Sequence, residues 1–256
     1  MKKLLINNKI VTVYDSIDEM PIINFQKYNK YLLIDAGIGS DVDSIDEHIV
    51  HIGKYIKSGD KAKAMQELQN MRQNMYMINS EISPKYLAFA ALIHSIDGKK
   101  LTDLSDSNLK RVLEDLQHVK HSSLIEWLMK LKKKVMTELE LYFPEDFISA
   151  ADKTTYDKLV QRVSLILDSI IRDNDNTEAV AEIDDYLFSL YKPKSFIGTE
   201  SVEISLDKNF ESMCLLISQK VNADASKMTV LQFYNAISVI RKQLEAEEKS
   251  VKRNKK

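Results

Sequence analysis

Few side chains in this sequence combine the type and spacing that chemistry requires. Asp35-Ala36-Gly37-Ile38-Gly39-Ser40 invites comparison with phosphate-binding glycine loops. It has neither the third glycine of a dinucleotide fingerprint nor the Gly-Lys-Ser/Thr of a P-loop, so it reads as a turn with acidic neighbours. Asp41, Asp43 and Asp46 are spaced like part of a calcium loop, yet Ile45 occupies the third ligand position, the mid-loop glycine is missing and Ile52 stands twelfth. These carboxylates suit a helix N-terminus, where the macrodipole favours negative charge. His48 with His51, and His118 with His121, sit three residues apart on helical segments and offer two imidazoles each. Catalytic zinc typically takes a third protein ligand and structural zinc four. Both pairs therefore read as surface or interface histidines. No Gly-x-Ser-x-Gly elbow or kinase signature sets a nucleophile beside a base. The sequence assigns no catalytic residue, no cofactor and no metal, and the chain is expected not to be an enzyme.

Composition narrows the remaining classes. The densest basic run, Lys130-Leu131-Lys132-Lys133-Lys134, is followed at once by Glu138 and Glu140, and the net charge is −2. That pattern reads as a solvated helix face, not as a surface for sequence-specific nucleic acid. The basic C-terminal run from Lys249 to Lys256 reads as a solvated, frayed terminus. Met65, Met71, Met75 and Met77 read as core packing, since methionine fills irregular gaps between helices. The single cysteine, Cys214, excludes an intrachain disulfide, and its neighbours Met213, Leu215, Leu216 and Ile217 mark a buried helical position. The apolar run after Met1 is interrupted by Asn7-Asn8-Lys9 before it reaches signal-peptide length. No stretch approaches the ~18 apolar residues that a membrane span needs. The expectation is a protein made in the cytoplasm, with no export signal and no membrane role of its own.

Only 6 Gly and 4 Pro occur in 256 residues, which favours long helices with few connections. The expected fold is all-α, a multi-helix bundle, with a short N-terminal β-hairpin and a small strand near residues 200–206. Lys3 to Ile6 and Ile10 to Tyr14 form the hairpin around Asn7-Asn8. Ser16 and Glu19 have capping-box spacing and open a helix that runs to Ile34. Ser40 or Ser44 caps the next, whose apolar face is Ile45, Ile49, Ile52 and Ile56. Helices follow over 62–78 and 84–96, with Asp97-Gly98 as a stop, then one from Ser105 and one through Leu124 to Tyr142. Leu159, Val160, Val163, Ile166, Leu167, Ile170 and Ile171 form a broad apolar stripe that pairs with Ala179, Ile183, Leu187 and Leu190 as a helical hairpin. Two domains are expected, 1–150 and 151–256, the second with a loop over 192–206 and a projecting terminal helix. Long loops often carry function. Phe196, Ile197, Val202 and Ile204 are therefore the candidate partner contacts.

Val13-Tyr14-Asp15-Ser16-Ile17-Asp18-Glu19-Met20-Pro21-Ile22, Phe25 to Lys30, Tyr31 to Ser40 and Pro84 to Ala90 together resemble a family of virion-associated proteins of crAss-like bacteriophages. The likeness covers about the first 150 positions. It implies a subunit of an oligomeric ring in the head–tail connector or tail region below the portal, with the portal or other tail and connector proteins as partners. Such a protein would be made and assembled in the host cytoplasm and reside in the virion, at the tail or portal vertex. Met228-Thr229-Val230-Leu231-Gln232-Phe233-Tyr234 also looks like the end of some phage tail-assembly chaperones, which are absent from mature particles. The chaperone is the alternative reading.

Overall fold

A computed structural model describes residues 1–79, 83–116, 121–147 and 150–254. The chain is mainly helical with one small sheet, and it divides into two compact units. The division does not fall near residue 150. Residues 1–138 and 194–256 form the first unit, and 139–193 form the second. The C-terminal helices join the N-terminal ones because their apolar faces find a partner in α1 (Ile22–Gly37).

The strands are β1 (Lys2–Ile6), β2 (Lys9–Val13), β3 (Ile93–Ile96) and β4 (Lys99–Lys100), paired antiparallel in that order. Asn7 and Asn8, at φ 47° and 61°, make the tight turn expected between β1 and β2. The second hairpin corrects the expected helix over 84–96. That helix, α4 (Pro84–Ala91), stops early, and Ile93–Ile96 pairs with β2. Ile93 and Ser95 are buried and His94 and Ile96 half-buried, a strand's alternation. Asp97-Gly98, at φ 48° and 80°, is a hairpin turn and not merely a helix stop.

Helix α1 (Ile22–Gly37) starts later than the capping-box spacing implies. Pro21 disfavours helical backbone at the residue before it. Ser16 instead donates to Glu138 Oε2 at 3.1 Å, and the same oxygen accepts from Ile17 N at 3.0 Å. α1 buries Ile22, Phe25, Tyr28, Tyr31 and Ile34, with Asn24 donating from the interior to the Ala91 carbonyl at 2.7 Å. α4 packs along it, and α5 (Asp106–Asp115), capped by Ser105 as expected, packs on α4. Tyr31 reaches across to Asp106, donating to Oδ1 at 2.8 Å beside Lys27 Nζ at 2.9 Å. Burial and then this carboxylate push the Tyr31 phenol well above its usual value. Tyr31→Phe is expected to cost about 1–2 kcal/mol in urea denaturation, because Asp106 loses a neutral donor but keeps its lysine.

The remaining elements of the first unit are α2 (Val42–Lys57), α3 (Lys61–Asn79), most of α6 (His121–Tyr142), α10 (Val202–Val221), a 3-10 turn (Ala225–Lys227) and α11 (Val230–Asn254). α10 and α11 pack on α1 and on each other. Asn222, at φ 52°, ends α10 in the left-handed region. The start of α11 is stitched to the residues before α1. Ile22 N donates to Met228 O at 2.9 Å, Val230 N to Met20 O at 2.8 Å, and Leu231 N to Ile17 O at 3.0 Å. Val230 and Phe233 are buried there. Further along α11, every residue from Lys242 to Glu247 is exposed. Cys214 is buried on α10, as its neighbours imply, and burial pushes its thiol up.

The second unit holds the end of α6, α7 (Pro144–Phe147), α8 (Ala150–Arg172) and α9 (Thr177–Leu190). α8 and α9 form the expected hairpin, with Arg162 Nε donating to Asp184 Oδ1 at 2.5 Å. The broad stripe on α8 is not buried in it. Leu159, Val160, Val163 and Leu167 are exposed, and Ile170 and Ile171 are 74% and 75% exposed. Among the described residues no helix is long and apolar enough to cross a membrane.

Candidate functional site

The densest polar chemistry in the interior lies between α2 and α3, where His48, Glu67, Asn70 and Asn74 are all buried. Local sequence sets this up. α1 ends at Gly37, and Gly39 takes φ +75°, turning the chain sharply into α2. Asp41 caps α2, in place of Ser40 or Ser44, accepting from Ser44 N at 2.9 Å and Ser44 Oγ at 2.6 Å. The Ser44 hydrogen bonds hold the Asp41 carboxyl below its usual range against the opposing effect of burial. Lys85 Nζ bridges Asp41 Oδ2 at 3.5 Å and Asp35 Oδ1 at 3.6 Å. Burial raises the Asp35 carboxyl in spite of that lysine.

Two turns into α2, His48 is locked on both ring nitrogens. Nδ1 lies 2.5 Å from Glu67 Oε2, and Nε2 lies 2.9 Å from the Ile38 carbonyl. A carbonyl only accepts, so Nε2 carries hydrogen. A second proton sits between Nδ1 and the carboxylate. Asn74 Nδ2 donates to the same Ile38 carbonyl at 2.9 Å. Asn70 Nδ2 donates to Lys194 O at 3.2 Å, and its oxygen accepts from Gln66 Nε2 at 3.1 Å. One polar cluster thus ties together the α1–α2 turn, α2, α3 and the segment that begins at Lys194.

Burial lowers the His48 pKa, but the Glu67 hydrogen bond, the Ile38 carbonyl and the nearby acids together outweigh it, and the net shift is upward from 6.5. The folded chain therefore holds this proton more tightly than the unfolded chain. Its contribution to stability is complete below about pH 6.5 and is lost as pH rises through the raised folded value. Urea midpoints of the native chain and His48→Gln should converge as pH rises above neutrality. A gap that widens with pH would contradict this sign.

These positions revise several expectations. His48 is not a surface or interface histidine, although His51 beside it remains half-buried. His118 lies outside the described residues, and His121 opens α6. Among the described residues, no group of three or more His, Cys, Asp or Glu is placed to hold a metal ion. Met65 and Met75 are exposed, not core. The strand expected near 200–206 is the first turn of α10, because Ser201 accepts from Glu203 N at 3.3 Å and caps a helix there. Of the candidate contacts, Phe196 lies against Gly37, where a Cβ would meet its ring atoms at 2.5 Å. Val202 is half-buried, and Ile197 and Ile204 are exposed. The loop is thus anchored on the α1 terminus by Phe196 and presents Ile197 and Ile204 outward. The signal in the sequence for Glu67, Asn70 and Asn74 is their spacing, which places three polar residues on one face of a helix.

A cleft of about 510 Å³ lies beside the β3–β4 turn and α5. Lys9, Lys99, Lys100 and Arg111 line it together with Asp97, Asp103 and Asp115, so its charges compensate internally. The chain matches no protein-family model, no curated protein and no solved structure.

Proposed function

We propose that this chain is a structural subunit of a bacteriophage virion, present in several copies as an oligomeric ring in the head–tail connector or tail region below the portal. The observation that carries the reading is α8. Its apolar residues at 156, 159, 160, 163, 167, 170 and 171 recur at helical spacing and are exposed. Large continuous apolar surfaces of this kind mark interaction sites. The resemblance of residues 13–40 and 84–90 to virion-associated proteins of crAss-like phages supports the same role. Neighbouring copies and the portal or adjoining tail proteins are the partners. Unlike surfaces that meet head to tail close into a ring when the rotation permits.

The test is location. Gold-labelled antibody against the chain, applied to intact and detergent-opened particles, should mark a single vertex at the tail. Label spread over the capsid, or absent from particles yet abundant in infected-cell lysate, would overturn the reading. The second pattern would favour the assembly chaperone.

A further inference from the structure

The polar interior between α2 and α3 lies beside an apolar exterior. On α2, Val42, Ile45, Ile49, Ile52 and Ile56 recur in alternating steps of three and four, the a and d positions of a heptad. Such a stripe ordinarily meets another helix. Here the buried face of α2 is made by His48 and Tyr55, about a quarter turn away. Ile49 and Ile56 are 54% and 64% exposed, and Val42 is exposed as well. α3 repeats the arrangement, burying Ala64, Glu67, Asn70 and Asn74 while Met65, Leu68, Met75 and Tyr76 are exposed.

On both helices an exposed apolar set lies about 90° from the buried face in the same rotational sense, Ile49 and Ile56 on α2 and Leu68 and Met75 on α3, while Met65 and Tyr76 lie nearly opposite the buried face of α3. In two neighbouring antiparallel helices, equal rotation brings both stripes to one side of the hairpin. The opposite side carries Asp43, Glu47 and Lys54 on α2 and Gln66, Gln69 and Gln73 on α3. The five exposed apolar side chains on that side, Val42, Ile49, Ile56, Leu68 and Met75, at roughly 100 Å² each, reach the upper part of the roughly 300–600 Å² range of the largest, often functional, patch on a typical monomer. Gly53 sits mid-helix at the border of the α2 stripe, and nothing lies within 4 Å of where its Cβ would be. A glycine inside a helix weakens it, and no contact within the chain requires one here. It leaves room for another backbone.

We propose that this face joins two copies of the chain, their α2–α3 hairpins pairing about a two-fold axis into a four-helix bundle, α2 against α2 and α3 against α3. β-branched residues at both a and d favour bundles of more than two helices. Charge selects the antiparallel arrangement. Asp46 and Lys57 are both exposed, on the same edge of α2 towards its opposite ends. Antiparallel pairing sets Asp46 of one copy towards Lys57 of the other, whereas parallel pairing opposes like charges. A self-complementary contact of this kind closes at two. It goes beyond the ring, whose neighbours meet through unlike surfaces, and it does not depend on the ring being present.

The experiment is sedimentation velocity with light scattering on the full chain and on Ile49→Lys/Ile56→Lys. Both side chains are more than half exposed, so circular dichroism and the urea midpoint serve as controls that the fold is retained. Pairing predicts that the variant has half the native mass, with at least roughly hundredfold weaker association. Gly53→Leu has space within its own chain, raises helix propensity and should also halve the mass by blocking close approach. Gln69→Lys, on the opposite side, should leave it unchanged. The halving is expected whether the native species is a dimer or a pair of rings, which separates this contact from the α8 surface. Undiminished mass in both α2 variants, a monomeric native chain included, overturns the proposal.

Discussion

His48→Ala is expected to destabilise the chain by about 3–5 kcal/mol in chemical denaturation, the range for removing one member of a buried charged pair. Glu67 has no exposed surface, and Nδ1 of His48 is 2.5 Å from its Oε2. Without that imidazole the carboxylate loses its 2.5 Å partner, and His51 Nδ1, at 3.7 Å from Oε1, is a weaker one, so holding either charge or a proton in the interior becomes less favourable. The Ile38 carbonyl would keep only the Asn74 donor. Replacing both partners by apolar residues of similar volume has a different outcome. His48→Leu/Glu67→Met should recover most of the loss, because no charge is left behind. Equal losses in the single and double variants would show that shape, and not the pairing of charge, holds α2 to α3.

Gly39→Ala is expected to cost about 2–4 kcal/mol, combining a left-handed conformation for a residue with a Cβ and a forced shift of packed atoms. The new Cβ would collide with the Ser44 Cβ and Oγ and meet the Asn74 Nδ2 at 2.8 Å, at φ +75°. Ser44 Oγ is held by Asp41, and Asn74 Nδ2 by Ile38, so neither is free to retreat. Gly37→Ala provides the contrast. Its Cβ meets only the ring of Phe196, the anchoring side chain of a loop, and its φ is not positive. Thermal melts should show the larger loss at position 39. Relief of the Gly37→Ala defect by Phe196→Ala would confirm the ring as the obstruction.

The mainly helical fold was legible in the scarcity of Gly and Pro and in helical periodicity, and the first hairpin in Asn7-Asn8. The second hairpin was missed because Pro84 to Ile96 is apolar enough for either a helix or a strand. Asp97-Gly98 is the deciding signal, since the dipeptide suits a hairpin turn as well as a helix stop. α2 misled for a more instructive reason. Its strongest periodicity, Ile45 to Ile56, lies to one side of α3, with Ile45 and Ile52 half-buried and Ile49 and Ile56 exposed, while the buried contact to α3 is made by His48 and Tyr55. Periodicity shows that a face is apolar, not what covers it. The same holds for α8. The polar cluster was hidden because its members are 19 residues or more apart across α2 and α3, as His48 and Glu67 are, and only the hairpin brings them together. Phe196 was expected as a partner contact of its loop, and its ring lies against Gly37 of the same chain.

The proposed role makes the chain a permanent multi-copy part of a particle. Quantitative mass spectrometry of gradient-purified mature virions, calibrated against the portal subunit, tests it most directly. A near-stoichiometric ratio to the portal is the predicted result. Absence from mature particles, with the chain present in infected-cell lysate, would contradict it.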